Sequence, residues 1–326
     1  MEKLDFTKII DAIAQARDIL IYTHVLMDGD ALGSSVALCE ALRSAGKNSF
    51  VLIEDDIPEY LFFIAGTCCT SDQHIIENPD LSIAVDSTDI ERFFLRKEKF
   101  FQGAIKICID HHHTSGYFGD INYVDEHSAS TGEIIFKLLK AMDVKINKAM
   151  AEAIYVAITT DTGNFQYTNT TASSHIIAAE LIDIGIDLEK IGVELYQNVR
   201  IEKLTLTAEI LETTEIICGG KVAIAFISLK MLDKTNTTID ESEGIVEILR
   251  SIRGVEISIF IKEIEPMLSK VSMRAKSYAN VAYICQKFGG GGHKKAAGCT
   301  LNESVEDTRK IIMQEVENYF NEQRDN

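Results

Sequence analysis

Four short segments of the sequence concentrate carboxylates and imidazoles. The first is His24-Val-Leu-Met-Asp28-Gly-Asp30. One histidine and two carboxylates suit Mn²⁺ better than a structural zinc ion, which favours thiolates. Gly29 permits a tight backbone turn, so that Asp28 and Asp30 can point at neighbouring positions. The same residues also describe a polar loop in which Asp30 caps the next helix. The second segment is Ala-Val-Asp86-Ser-Thr-Asp89. Asp86 can be a ligand, or Asp86 or Ser87 can cap a helix over 88–98. The third is Asp110-His111-His112-His113-Thr114. Three consecutive imidazoles after an aspartate gain little from packing, and point to metal or phosphate chemistry, with a solvated loop as the alternative. The fourth is Thr160-Asp161-Thr162-Gly163. A carboxylate at a helix C-terminus faces the negative end of the helix dipole, a penalty that a cation would remove. The alternative is an exposed cap before Gly163.

These segments need elements to hold them. Asp18–His24 reads as a buried strand and 31–45 as a helix ended by Gly46. Strands follow near 49–53, 81–86 and 105–110. Each is a short apolar run without alternation, as in strands covered on both faces. Strand–helix repetition predicts a doubly wound, mainly parallel sheet, and ligands bind at the carboxyl edge of such sheets. After Ser130 the chain turns helical. Ser130-Thr-Gly-Glu133 has the form of a capping box. Helices are expected over 131–143, 147–160, 172–184 and 187–213. From 214 the pattern changes to strands at 214–218 and 221–228, helices to about 250, strands at 255–263 and 268–274, a Gly-rich turn, and a closing helix at 303–322. The expected class is α/β, with a smaller C-terminal α+β domain. The expected division is 1–190 for the catalytic domain, 191–213 for a helical linker, and 214–326 for the second domain.

Bulk composition narrows the function. The chain has 326 residues, 46% hydrophobic and 25% charged, which fits about two soluble globular domains. The net charge of −18 argues against a long nucleic-acid track, whose affinity comes from many cations. A short polyanion is still admissible, because metals and a few local cations can reverse the field inside one site. The seven cysteines include no C-x-x-C pair and read as reduced thiols of a cytoplasmic protein. The amphipathic start is not a signal peptide, and no apolar run approaches the ~20 residues of a membrane span.

Carboxylates and histidines from four segments, all at element ends, together make the ligand set of a two-metal site. Such a site needs a bridging carboxylate and several terminal ligands. In order, His24-x₃-Asp28-x-Asp30, Asp86, Asp110-His111-His112 and Asp161 resemble the four motifs of DHH phosphoesterases. Phe288-Gly289-Gly290-Gly291-Gly292-His293-Lys-Lys-Ala-Ala-Gly298, with Val271-Ser-Met-Arg274 upstream, resembles the signature of the DHH-associated substrate domain. In size the chain resembles the branch of bifunctional oligoribonucleases (nanoRNases) and pAp phosphatases. RecJ-like exonucleases are longer, and family II pyrophosphatases lack the Gly-Gly-Gly-His tract.

The resemblance implies roles. His24, Asp28 and Asp86 would hold one divalent ion. Asp30, Asp86, His111 and Asp161 would hold the other, with Asp86 bridging. Mn²⁺ is expected, with Mg²⁺ and Co²⁺ as alternatives. His112 would face the reacting phosphate, and Asp110 would orient an imidazole. His113 is unassigned. Gly289, Gly290, Gly291 and Gly292 would let backbone N–H groups approach an anion, a following helix N-terminus would add its dipole, and His293 and Arg274 would grip the phosphate. A flexible hinge is the bland reading of the glycines. The implied substrates are short RNA or DNA oligonucleotides, linear dinucleotides, or 3′-phosphoadenosine 5′-phosphate (pAp). Alternatives are a cyclic-dinucleotide phosphodiesterase, an inorganic pyrophosphatase, and a non-catalytic nucleotide-binding protein. The oligomeric state, a homodimer included, is left open.

Overall fold

The computed structural model describes residues 5–87, 89–112 and 116–322; His113 and Thr114 lie outside them. The chain divides into two compact units, Met1–Asn198 and Val199–Asn326.

In the first unit, helix α1 (Thr7–Gln15) leads to β1 (Asp18–Tyr22), α2 (Gly29–Ser44) and β2 (Asn48–Leu52). Then come α3 (Phe62–Ala65), β3 (Cys69–Thr70), β4 (Leu81–Val85), a 3-10 helix (Ile90–Arg96) and α4 (Lys97–Phe101). Strands β5 (Ile105–Asp110) and β6 (Ile121–Val124) complete a six-stranded sheet of order β3-β2-β1-β4-β5-β6, parallel at every pairing. Strand β4 is buried along its whole length, which is why it reads as the unbroken run Leu-Ser-Ile-Ala-Val. The short β3 and β6 escape the sequence pattern because they carry two and four residues at the sheet edges. The strand order reverses between β1 and β4, the switch point where open α/β sheets bind ligands.

Helices α5 (Thr131–Ala141), α6 (Lys148–Asp161), α7 (Ala172–Ile184) and α8 (Leu188–Tyr196) follow. α2 and α6 pack at close range. A side chain on Gly33 would collide with the Ala153 carbonyl and come 3.1 Å from the Ala157 Cβ. Ser130 caps α5 by accepting from the Glu133 N–H at 3.3 Å, but the expected box is only half made. The Glu133 carboxylate instead accepts from the Ser174 hydroxyl at 2.6 Å, tying α5 to α7.

The segment expected as one linking helix over 187–213 is two helices, α8 and α9 (Ile201–Glu212). They serve different cores. Ile191 of α8 is buried in the first unit, whereas Leu206 and Ile210 of α9 are buried with Ala225 and Phe260 of the second. Half of the expected linker is therefore structural in the second unit.

The second unit continues with β7 (Glu215–Ile217), β8 (Val222–Ile227), α10 (Leu229–Thr235), α11 (Ile245–Ser251), β9 (Ile257–Glu265) and β10 (Leu268–Ala275). Helix α12 (Val281–Gln286), strands β11 (Gly291–His293) and β12 (Ala296–Leu301), and helix α13 (Val305–Glu322) end it. Its sheet has the order β11-β12-β10-β9-β8-β7, parallel only between β8 and β9. The closing helix α13 falls where it was expected, but β11 and β12 separate it from the glycine tract. A helix precedes the tract, and β11 begins within it at Gly291, where Gly291, Gly292 and His293 pair with Gly298, Ala297 and Ala296 in a tight hairpin. The Gly289 and Gly290 N–H groups donate to the Gln286 and Cys285 carbonyls at 3.1 and 3.0 Å, and the tract has no helix N-terminus directly behind it.

Candidate metal centre

The carboxyl edge of the first sheet gathers all four acidic segments. His24 and Asp28 follow β1, Asp86 follows β4, and His111 and His112 follow β5. Asp161 is the last residue of α6. Asp28, not Asp30, is the N-cap of α2. Its carboxylate accepts from the N–H groups of Asp30 and Ala31, both at 3.0 Å. Asp30 thus lies inside the first turn, buried, where the helix dipole favours an anion. Asp86 caps no helix either, since Asp89 caps the 3-10 turn by accepting from the Glu91 N–H at 2.9 Å. Asp86 instead takes up a left-handed backbone at φ 57°, an unfavourable conformation for a non-glycine residue and one concentrated at functional sites.

Gly29 has a different reason from the one its loop suggested. It does not adopt a positive φ. A Cβ there would lie 2.6 Å from Thr160 Cγ2, so glycine is needed for close approach of α2 to the end of α6. That approach brings Asp28 and Asp30 beside Asp161.

Two groups of possible ligand atoms result. His24, Asp28 and Asp86 form one, and Asp30, His111 and Asp161 the other, with ligand atoms in each within 4.8 Å of one another. Asp86 faces both. Its Oδ2 is 3.8 Å from His24 Nε2, and its Oδ1 is 3.7 Å from His111 Nε2. His111 Nε2 is also 3.7 Å from Asp30 Oδ2 and from Asp161 Oδ2. It is buried and makes no hydrogen bond. A buried ring nitrogen ringed at equal distance by three carboxylates, none close enough to bond it, has the surroundings of a ligand lone pair rather than of a packed core histidine. The backs of the rings agree. His24 Nδ1 is 2.8 Å from the Val25 carbonyl, and His111 Nδ1 is 3.3 Å from the Ser128 carbonyl. Donation to these carbonyls fixes the tautomer that leaves each Nε2 unprotonated. In that tautomer the Arg92 guanidinium, 3.0 Å from His24 Nδ1, is a neighbour and not a donor to the ring.

His112 differs. Its Nδ1 is the nitrogen nearer the acids, 3.6 Å from Asp86 Oδ1, but it hydrogen-bonds Asp110 Oδ1 at 2.8 Å. The same Asp110 oxygen accepts from the N–H groups of His111 and His112. Asp110 thus orients the His112 ring. Asp86, His111 and His112 also satisfy the distances of a third ligand group. Using His112 Nδ1 as a ligand would require breaking its bond to Asp110, which the other two groups do not require.

The electrostatics are those of a cation site. Burial, then the charges of Asp86, Asp161 and Asp28, hold the Asp30 carboxyl well above the usual range. Burial and Asp28 raise Asp86 against the opposing pull of His111 and His112. Burial pushes Asp161 up to about 6, helped by Asp86 and Asp28. Burial opposes a charged His112, but the Asp110 bond and the charges of Asp86, Asp110 and Asp161 prevail and lift it to about 9. Clustered acids that resist ionisation without a counter-charge, together with imidazole donors, fit divalent cations.

Several supporting residues escaped the motif reading. Backbone N–H groups of Thr131 and Gly132, at the start of α5, donate to Asp30 at 2.7 and 2.9 Å. The Ser34 hydroxyl adds a third bond to Asp30 at 3.0 Å, and the Thr131 hydroxyl donates to Asp86 Oδ1 at 2.8 Å. Asn169 donates to Asp161 Oδ2 at 3.2 Å and to the Ala129 carbonyl at 3.0 Å. A small polar residue at a helix start carries no sequence mark of such a role, although the Ser130 cap located the right turn. Glu126 and His127 line a cavity of about 390 Å³ together with His111 and His112.

The residues expected to bind substrate lie in the second unit. Arg274 pairs with Ala296 across β10 and β12, and Ala296 pairs with His293 across β12 and β11, so the three share one row and one face. The Arg274 guanidinium is set by Glu247, whose Oε1 accepts from Nε at 3.1 Å. Gly289, Gly290 and Gly291 line a separate cavity of about 430 Å³ with Phe288. No helix among the described residues is long and apolar enough to cross a membrane.

Comparison with known proteins agrees with this architecture. The chain is 32% identical over 284 residues to the bifunctional oligoribonuclease and PAP phosphatase NrnA of Thermus thermophilus, spanning 87% of this chain and 84% of that protein. It is 30% identical over 314 residues to a probable bifunctional oligoribonuclease and PAP phosphatase NrnA of Streptococcus mutans, spanning 96% and 98%. The crystal structure of an exopolyphosphatase-related protein from Bacteroides fragilis superposes with a TM-score of 0.89 at 27% identity, over 96% of this chain and 95% of that one. The DHH family N-terminal domain matches residues 18–158 and the DHHA1 domain residues 219–322, and with these relatives they make the chain a member of the DHH family of phosphoesterases.

Proposed function

We propose that the protein hydrolyses short oligonucleotides, linear dinucleotides and pAp to mononucleotides, using two divalent cations, Mn²⁺ in the first instance. The observation that carries this reading is the split of the Asp86 carboxylate, one oxygen toward His24 and the other toward His111. His24, Asp28 and Asp86 would hold one ion, and Asp30, His111 and Asp161, with Asp86 reaching across, would hold the other. When bound there, a pair of divalent ions would supply an activated water and counter-charge for the scissile phosphate.

The chain's own residues supply the rest. Thr131, Gly132 and Ser34 fix Asp30 so that it needs no rearrangement on binding. Asn169 does the same for Asp161. His112, its ring oriented by the Nδ1 bond to Asp110, stands beside the reacting centre as a proton donor or as a charge against the phosphate oxygens. In the second unit, the row of Arg274 and His293 with the adjoining glycine tract grips the phosphate at the non-reacting end. All seven cysteines are thiols, none in a disulfide, which supports a reducing, cytoplasmic setting.

The substrate class rests on the named relatives, which are called oligoribonucleases and PAP phosphatases. Incubating the Mn²⁺-loaded protein with pAp, pApA, a cyclic dinucleotide and pyrophosphate tests it. Turnover of pAp and pApA is expected. Turnover confined to the cyclic dinucleotide or to pyrophosphate would replace the reading, and turnover of none would end it.

A further inference from the structure

A second charged row crosses the same sheet face as Arg274 and His293. Lys262 of β9 pairs directly with Lys270 of β10, and Lys270 with Thr300 of β12. Directly paired residues share a face, and residues two apart along a strand return to it, so Lys270, Ser272 and Arg274 all point the same way. Between the two rows lie Phe260, which is buried, and Ser272, Gly298 and Gly291, where the two glycines leave the backbone uncovered.

Two lysines directly opposite one another repel, and the fold gains nothing from pairing them. Neither enters any ion pair among the described residues, whereas Arg274 is tied to Glu247 and Lys287 to Glu315. Lys270 is exposed and Lys262 half-buried, its ammonium 5.7 Å from the Phe260 ring centre. Burial above all, helped by Lys270, holds the Lys262 ammonium below the usual lysine range against the pull of Glu243, Asp240 and Glu247. The cavity of about 430 Å³ adjoins this row, with Lys270, Thr300, Phe288 and the first three glycines in its wall. Its volume is in the range of small-ligand sites.

We propose that Lys262, Lys270 and Thr300 form a second phosphate station, which takes an internal phosphodiester of an oligonucleotide whose end is gripped at the Arg274–His293 row. The inference rests on the nucleolytic reading above and sharpens its substrate. Four residues of strand separate the two rows, about 13 Å. The two phosphates of one nucleotide do not reach across that distance, so the second station serves a chain and not pAp. A base beside it meets Phe288 in the cavity wall, and base–aromatic stacking is tolerant of sequence. The station thus favours oligonucleotides over pAp without reading their sequence.

Calorimetric binding of 5′-pApApApA and of pAp to the full chain, with and without the double substitution Lys262→Gln/Lys270→Gln, tests this. Tetranucleotide affinity should fall at least tenfold, pAp affinity less than threefold. The salt dependence of tetranucleotide binding should flatten by about 0.7 in log–log slope, one phosphate contact on a single strand. Lys262→Arg/Lys270→Arg should retain both properties. An equal loss for the two ligands, an unchanged slope, or a wild type that binds pAp but no tetranucleotide would each overturn the second station. If the double variant loses tetranucleotide binding while the wild type hydrolyses nothing, the station stands and the nucleolytic reading falls.

Discussion

A Cβ on Gly29 would sit 2.6 Å from Thr160 Cγ2, so the first turn of α2 touches the last turn of α6 where any larger residue would hold them apart. Asp30 and Asp161 belong to those two turns and face the same His111 nitrogen at 3.7 Å. Gly29→Ala should therefore separate the ligands. Overpacking of this kind costs about 1–3 kcal/mol of stability, and metal affinity should fall tenfold or more while the fold persists. Gly192→Ala, on the surface of α8 with nearest contact 4.0 Å away, is the control. Unchanged metal binding in Gly29→Ala protein, measured by titration calorimetry, would show that the helix contact does not set the ligand spacing.

Asp86 is expected to serve both ions. Asp86→Ala should lose both by elemental analysis and several orders of magnitude in kcat, whereas His24→Ala should retain the ion held by Asp30, His111 and Asp161. Normal turnover in Asp86→Ala protein would sink the two-metal assignment.

The two adjacent histidines should separate. His111→Ala removes a buried nitrogen aimed at three carboxylates and should lose metal. His112→Ala should lower kcat with metal content nearly intact, because its Nδ1 is committed to Asp110. Equal metal loss in both variants would show the roles wrongly divided.

The acid cluster makes a pH prediction for the metal-free protein. Asp161 is raised to about 6 by burial and by Asp86 and Asp28, above its unfolded value. A folded pKa above the unfolded one gives stability that is full below about pH 4 and lost as pH rises through about 6. The loss at neutral pH is on the order of 2–3 kcal/mol for Asp161. Asp30 and Asp86 act in the same sense. In chelator, Tm should fall from pH 5 to pH 7.5. Added Mn²⁺ should abolish most of that fall by neutralising the ionised acids, and Asp161→Asn should shrink it without metal. An identical pH slope in wild type and Asp161→Asn would remove Asp161 from the cluster's energetics.

Arg274→Ala and His293→Ala should keep the metals, since neither residue belongs to either ligand group. They should lose binding energy that positions the phosphate, so kcat/KM for pAp and short oligonucleotides should fall steeply. Hydrolysis of bis-p-nitrophenyl phosphate, which offers no terminal phosphate, should fall much less. Equal losses on both substrates, with folding and metal content unchanged, would mean that this row does more than grip.

The sequence by itself determined the chemistry of the site and the class of fold. Carboxylates and imidazoles stood at the ends of short unbroken apolar runs, and such runs are strands of a doubly wound sheet whose carboxyl edge is one place. The candidate ligands were therefore legible in local patterns, and the resemblance supplied the roles proposed for them. Tertiary structure decided the rest, because distances between segments far apart in sequence have no local signal. The need for glycine at 29 came from Thr160, 131 residues away, and not from the turn around it. The orientation of Asp30 came from backbone N–H groups at 131 and 132, which every residue but proline carries and no residue type advertises. The break at 197–200 followed from two cores competing for one helical stripe. The pairing of Lys262 with Lys270 came from strand register, which charge at either position alone does not reveal.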